Sequence, residues 1–297
     1  MSPKKQLNLR EKRDIGQVVN ASFAFLRLSY GKMFRDLILF STPFYIIAGV
    51  CTGILQFDEP AEFAGFATGY LLNPLFYASI VAGMIGTTLC ISIVGNYIYQ
   101  YTETGSNQFD KVGIRQRIWK HLPGLLVVSL FYYAANIGSL VFLIIPGIFF
   151  SVANVLSRPI YILENKNDLQ SISIGESFSE SRRLISDNWW RSFGLFYILF
   201  FLVAIMGIIF TLPQIIIRFI ISFNAARSMD MEGYRLSYTI SSIVSQVGQG
   251  LLEPITVTAW FIYYYSLKES KDQTDLMATI ENIGVKTTTT SDNEGSY

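Results

Sequence analysis

Four polar residues, Ser242, Gln246, Gln249 and Glu253, follow one another at spacings of four, three and four inside the otherwise apolar stretch 239–265. Such spacing places all four on one face of a helix. A carboxylate facing acyl chains is costly, about 2.5 to 3.5 kcal/mol for an Asp on insertion scales, so the stripe must face protein or water. Pro254 follows the carboxyl directly, brings no backbone donor, and frees a carbonyl between Val247 and Gly250. The chemistry open to this face is binding: a polar cavity, with Asn136 and Asn154 as facing groups and Arg158 as the cation that neutralises Glu253. A second reading has the same carboxyl, hydrogen-bonded or protonated, fastening helices to one another.

Catalytic chemistry finds little material elsewhere. The chain has one histidine, His121, so neither a two-histidine zinc site nor a Ser-His-Asp triad is expected. No Gly-x-Ser-x-Gly elbow and no Walker loop occur, and Gly248-x-Gly250 has Glu253 where a third glycine is needed. Asp272-x-x-Asp275 has the spacing to hold Mg²⁺ but reads as a charged helical surface. Cys51 and Cys90 lie in apolar stretches and read as small hydrophobes. A net charge of +1 gives no basic field for nucleic acid. We therefore expect no enzyme, no cofactor and no metal.

The elements that must position the stripe are membrane spans. Hydrophobic residues make up 51% of the 297 residues and charged ones 15%, against roughly 25% charged in soluble domains. No charge occurs between Glu62 and Glu103, His121 and Arg158, or Arg191 and Arg218. A spanning helix needs about 20 apolar residues. A disordered chain, a disulfide scaffold and a soluble enzyme domain are thereby excluded. The first 35 residues carry eight Lys and Arg, and the apolar run begins only at Leu37, too late for a cleaved signal. We expect an all-α integral membrane fold in one domain, residues 1–282, with six spans near 37–56, 74–99, 122–145, 148–163, 193–212 and 239–265. Asn73-Pro74 starts the second, Pro146-Gly147 breaks the third and Pro213 stops the fifth, leaving 214–223 ambiguous between spanning, re-entrant and interfacial.

Basic residues alternate between loops: eight precede the first span, four (Lys111, Arg115, Arg117, Lys120) precede the third, and Lys166, Arg182, Arg183 and Arg191 precede the fifth. The positive-inside tendency then puts both termini in the cytoplasm. Arg218, Arg227 and Arg235 argue the other way. Amphipathic basic stretches precede spans one, three and five, at 15–34, 109–119 and 169–190, the first lying within an interfacial helix of about 9–35. In the first, Ile15, Val18, Val19, Phe23, Leu26 and Tyr30 form an apolar face suited to acyl chains, which suggests three repeated units of interfacial helix and hairpin. Tyr97, Tyr99 and Tyr101, Trp189 and Trp190, and Tyr263 to Tyr265 read as headgroup anchors. Gly83, Gly86 and Gly207 read as close-packing points between helices. Residues 283–297 are low in complexity and expected to be disordered.

Three blocks of sequence carry a family resemblance. They are Arg13-Asp14-Ile15-Gly16 with Ala21-Ser22-Phe23 and Leu26-Arg27; Arg158-Pro159-Ile160-Tyr161-Ile162-Leu163-Glu164 with Glu176-Ser177-Phe178, Ser181 and Asn188-Trp189-Trp190; and Pro254 with Tyr263-Tyr264-Tyr265 and the charged run from Lys268. Together they resemble the membrane domain fused to some glycerophosphodiester phosphodiesterases, and its stand-alone relatives. Those proteins end the last helix on a Tyr-Tyr-Asp-Leu-Arg-like string, where this chain has Tyr264-Tyr265-Ser266-Leu267-Lys268. The resemblance implies a six-helix bundle with interfacial helices in a bacterial cytoplasmic membrane. It implies no phosphodiesterase chemistry, which belongs to a separate soluble barrel. The expected role is non-enzymatic, a scaffold or accessory of the envelope whose basic helices meet membrane lipids, anionic ones in particular. A transporter or channel built on the Ser242–Glu253 stripe is the alternative.

Overall fold

The computed structural model describes residues 7–58, 70–106, 108–142, 144–165, 171–225 and 232–286. They are helical nearly throughout, and no strand occurs among them. Among the described residues nine α-helices follow in order: α1 (Ile15–Asp36), α2 (Thr42–Asp58), α3 (Pro74–Thr104), α4 (Lys111–Phe142), α5 (Ile144–Ala153), α6 (Ser157–Glu164), α7 (Ile174–Ser186), α8 (Trp189–Ala225) and α9 (Arg235–Lys286). Five helical segments among the described residues are long and apolar enough to cross a membrane: α1 with α2, α3, α4, α5 with α6, and α8. By length and composition, the chain is a multi-pass membrane protein.

The stripe-bearing helix α9 is not among those five, and its place in the bundle explains why. It packs along α2, α8, α3 and α1, and from Val257 to Leu267 nearly every side chain is buried. A helix shielded on several sides by other helices can carry polar residues that a lipid-facing one cannot. The opposite extreme is α8, whose Ile205, Ile209 and Phe219 are all more than two-thirds exposed, at 68%, 69% and 71%.

Local signals set most boundaries. Asp14 caps α1 in a capping box with Gln17. Asn73 accepts from the Leu75 amide ahead of Pro74, and Gly105, at φ 62°, closes α3 in the left-handed region that glycine tolerates. Other expectations need correction. The first amphipathic stretch is not separate from the first span: α1 runs through a π-turn (Leu37–Ser41) straight into α2, while residues 9–14 precede the helix. Nor is its inner face given to acyl chains, since Val18, Phe25 and Met33 are wholly buried against protein. The second amphipathic stretch likewise continues into its span as α4, through Pro123, whereas the third is a separate helix, α7. The supposed repeats therefore differ in build.

Pro213 does not stop the fifth span. Helix α8 runs through it to Ala225, because a proline inside a helix removes one hydrogen bond and bends the axis without ending it when packing holds the next turn. Here Gln214 supplies that hold, its amide donating to Gln56 Oε1 at 3.1 Å. Pro146 and Gly147 lie inside α5 rather than at a break, position 143 lies outside the described residues, and the fourth span is interrupted at 154–156 between α5 and α6. Helix α9 extends to Lys286, so 283–286 are helical, and the rest of the expected disordered tail lies outside the described residues. Glu59, Pro60 and Glu62, an acidic stretch after the first span, lie outside them too.

The tyrosine anchors are core residues. Tyr97, Tyr101, Tyr263, Tyr264 and Tyr265 are buried, and their hydroxyls meet protein: Tyr97 donates to Asp36 at 2.9 Å and Tyr263 pairs with Ser192 at 2.9 Å. Trp190, at 78% exposure, remains suited to a headgroup region. The three sequence blocks named above converge at this basic end of the bundle. Ser266 Oγ bridges the amide and carbonyl of Arg13 at 2.8 and 3.0 Å, Ser181 Oγ donates to the Ala153 carbonyl at 2.9 Å, and Glu164 meets both Tyr264 and Lys268.

Candidate functional site

Helix α9 turns Gln246, Gln249, Glu253 and Thr256 toward a groove of about 600 Å³. The facing wall comes from α3, where Ser79, Gly83 and Thr87 recur every fourth residue and so share a face. Tyr45 and Thr52 of α2, Tyr133 and Ile137 of α4, and Val203 of α8 complete it. Ile80 and Ile137 in the wall are 40% and 52% exposed, so the groove opens on the bundle surface, toward what would be lipid.

Glu253 is only partly covered, and two groups on different helices hold it. The Tyr45 hydroxyl donates to Glu253 Oε2, and the Thr87 side chain bonds to the same carboxyl. Tyr45 itself is fixed by close neighbours. A methyl group placed on Gly86 would fall 2.9 Å from its ring, and one on Gly250 2.4 Å. Two glycines, on α3 and α9, thus make the slot in which the ring stands. Closer to the Asp58 end of α2, Gly49 meets the Ile243 backbone and Gly53 that of Thr239, a small-residue seam that lets α2 and α9 nearly touch.

A second cavity of about 160 Å³ adjoins the first. Glu253 and Thr256 line both. Arg158, at the start of α6, enters this one alongside Tyr132, Phe196 and Trp260. Its guanidinium lies 4.2 Å from the Tyr132 ring centroid and 5.7 Å from that of Tyr133, and its Nε is buried without a hydrogen-bond partner.

The seven residues singled out in the sequence therefore divide. Gln246, Gln249, Glu253 and Arg158 surround the joined cavities. Ser242 is buried in the α2–α9 seam beside Gly53. Asn136 is engaged locally, donating to the Tyr132 carbonyl at 2.7 Å and accepting from Ser151. Asn154 is buried at the break between α5 and α6, where its amide donates to the Phe150 carbonyl at 2.9 Å. Sequence reasoning missed Tyr45, Thr87 and Tyr133. The Gly49-x-x-x-Gly53 spacing was the available signal for α2 against α9, and Ser79, Gly83 and Thr87 for the facing wall. Gly83 lines the groove and does not pack: a methyl group there meets nothing within 4 Å. Gly207 similarly borders an apolar cavity between α8 and α9.

The chain matches no family model, no curated protein and no solved structure. Among the described residues no cluster of three His, Cys, Asp or Glu is placed to hold a metal. What the site offers is one carboxyl, one guanidinium, several hydroxyls and carboxamides, and an apolar approach.

Proposed function

We propose that this is a non-enzymatic protein of a bacterial cytoplasmic membrane that holds a membrane lipid in the groove around Glu253, as an accessory or scaffold of the envelope. In this reading α9 is a sixth crossing, both termini are cytoplasmic, and the basic end of the bundle faces the cytoplasm. The observation that carries it is the groove itself: a hydrogen-bonded carboxyl in its wall and an apolar mouth framed by Ile80 and Ile137. The carboxyl offers a polar contact inside the bundle, and an apolar mouth admits chains that water-soluble solutes lack. The family resemblance belongs to the same proposal, and the convergence of its three blocks at one end of the fold supports it. The basic helical stretches on that end would meet anionic headgroups.

Native mass spectrometry of protein gently extracted from its own membrane tests this. We expect a discrete lipid mass, reduced in Gly83→Leu, which fills the groove from a position with free space, and in Glu253→Gln. Bare protein in every preparation would overturn the proposal. One observation favours a second reading, transport: Glu253 stands between two cavities, as an occluding group would. Solute flux into proteoliposomes that is lost in Glu253→Ala would establish that reading in place of the first.

A further inference from the structure

Resting on that lipid-binding reading, we infer that the headgroup accepted at this site carries both an ammonium and a phosphate, the ammonium at Glu253 and the phosphate at Arg158. Glu253 and Arg158 share the walls of one small cavity, near enough for the charge of one to act on the other. They nonetheless form no direct ion pair, and none of the ion pairs among the described residues includes Arg158. Its guanidinium lies over the rings of Tyr132 and Tyr133, and its buried Nε has no hydrogen-bond partner. Glu253, in turn, is oriented by Tyr45 and Thr87, neither of them a cation.

Each charge is therefore fixed in place by neutral groups and lacks a counter-charge in contact. Burying a charge is costly unless it is paired and hydrogen-bonded. A purely anionic headgroup would pair Arg158 and bring its charge toward Glu253. A purely cationic one would leave the guanidinium fork empty. A headgroup bearing both charges meets both walls without net charge entering the bundle. The planar guanidinium fork matches phosphate oxygens, and a carboxylate takes hydrogen bonds from an ammonium. The acyl chains would lie along Met84, Ile137 and Val203 in the larger groove, leading to the open mouth.

The test titrates delipidated full-length protein with phosphatidylethanolamine, phosphatidylglycerol or uncharged diacylglycerol, scoring bound lipid by native mass spectrometry. We expect phosphatidylethanolamine to bind about tenfold more tightly than either competitor, the scale of one charge-assisted contact. Glu253→Gln should remove the preference over phosphatidylglycerol, and Arg158→Gln the preference over diacylglycerol. The wild-type comparison decides even if a variant fails to fold. Lipid binding with no headgroup preference, or with phosphatidylglycerol preferred, would overturn the headgroup assignment and leave the lipid groove standing. Binding of none of the three would overturn both.

Discussion

The hydroxyl of Tyr45 donates to the carboxyl of Glu253, joining the first membrane-embedded helix to the central one. The ring that carries the hydroxyl cannot swing aside, because Gly86 and Gly250 close on its two flanks. One wall of the carboxyl is thus structural, fixed to α2, and the other faces the groove. Packing and cavity, which the sequence offers as competing roles for Glu253, are here two sides of a single side chain.

The glycine slot makes a paired prediction. Gly250→Ala puts a methyl group 2.4 Å from a ring that Gly86 crowds on its other edge, and overpacking of this kind costs about 1 to 3 kcal/mol. Gly83→Ala adds the same methyl group to open space and should stay within about 0.5 kcal/mol of the parent. Thermal unfolding in one detergent should show a clear loss for the first and none for the second. Equal losses would mean that the slot is not tight.

A second polar knot ties the opposite end of the bundle. The Tyr238 hydroxyl donates to Gln56 Oε1 at 2.9 Å and accepts from Arg218 at 3.0 Å, while Gln214 donates to the same Gln56 oxygen at 3.1 Å. Tyr238 is 2% exposed. Tyr238→Phe keeps the ring and strands those partners, so a loss of about 1 to 3 kcal/mol is expected. The knot also holds α8 beyond Pro213, and proteolysis of 214–225 should accelerate in the variant. Unchanged cleavage there would show that Pro213 and the lipid-facing residues hold α8 without it.

How much of this was legible follows from which signals are local. Uncharged runs, Asn73-Pro74 and the 4-3-4 stripe are properties of neighbouring residues, and they located the helices and the Glu253 face. Partners across helices are not. Nothing near Tyr45 in sequence announces Glu253, 208 positions on, and Tyr263 to Tyr265 look the same whether their hydroxyls meet water or Ser192 and Glu164. Proline misled: α8 runs through Pro213, and Pro146 lies inside α5.

At the basic end, Asp36 is 1% exposed and takes two hydrogen bonds from Arg115, from Nε at 3.2 Å and from a terminal nitrogen at 2.7 Å, besides the one from Tyr97. The carboxyl sits at the junction of α1 and the π-turn, so the ion pair pins α1 to α4. Asp36→Asn should cost about 1 to 3 kcal/mol. The Arg115 side chain is 36% exposed, so solvent screening keeps the loss below that for a fully buried pair. Arg115→Lys should not restore the parent value, since one ammonium cannot reproduce two N–H bonds to a single oxygen. Full stability in the lysine variant would reduce the interaction to simple charge.

Helix α7 gives the pH dependence. The Ser173 amide donates to Glu176 Oε2 at 2.8 Å, and the Glu176 amide donates to Ser173 Oγ at 3.2 Å. The bond from the Ser173 amide, and after it one from the Ser173 side chain, favour the ionised carboxylate and hold its pKa below the ordinary glutamate value. A group depressed in the folded state binds fewer protons there than in the unfolded chain, so folding gains from it once the unfolded glutamate is ionised. The contribution is complete above that ordinary range and fades as pH falls through the lowered value. Hydrogen-exchange protection of the α7 amides, corrected for intrinsic rates, should drop between about pH 6 and pH 3. Glu176→Gln should flatten that drop, because its amide makes a neutral contact with no proton to take up. A drop of the same size in Glu176→Gln would place the titrating group elsewhere and leave the capping box without a role in it.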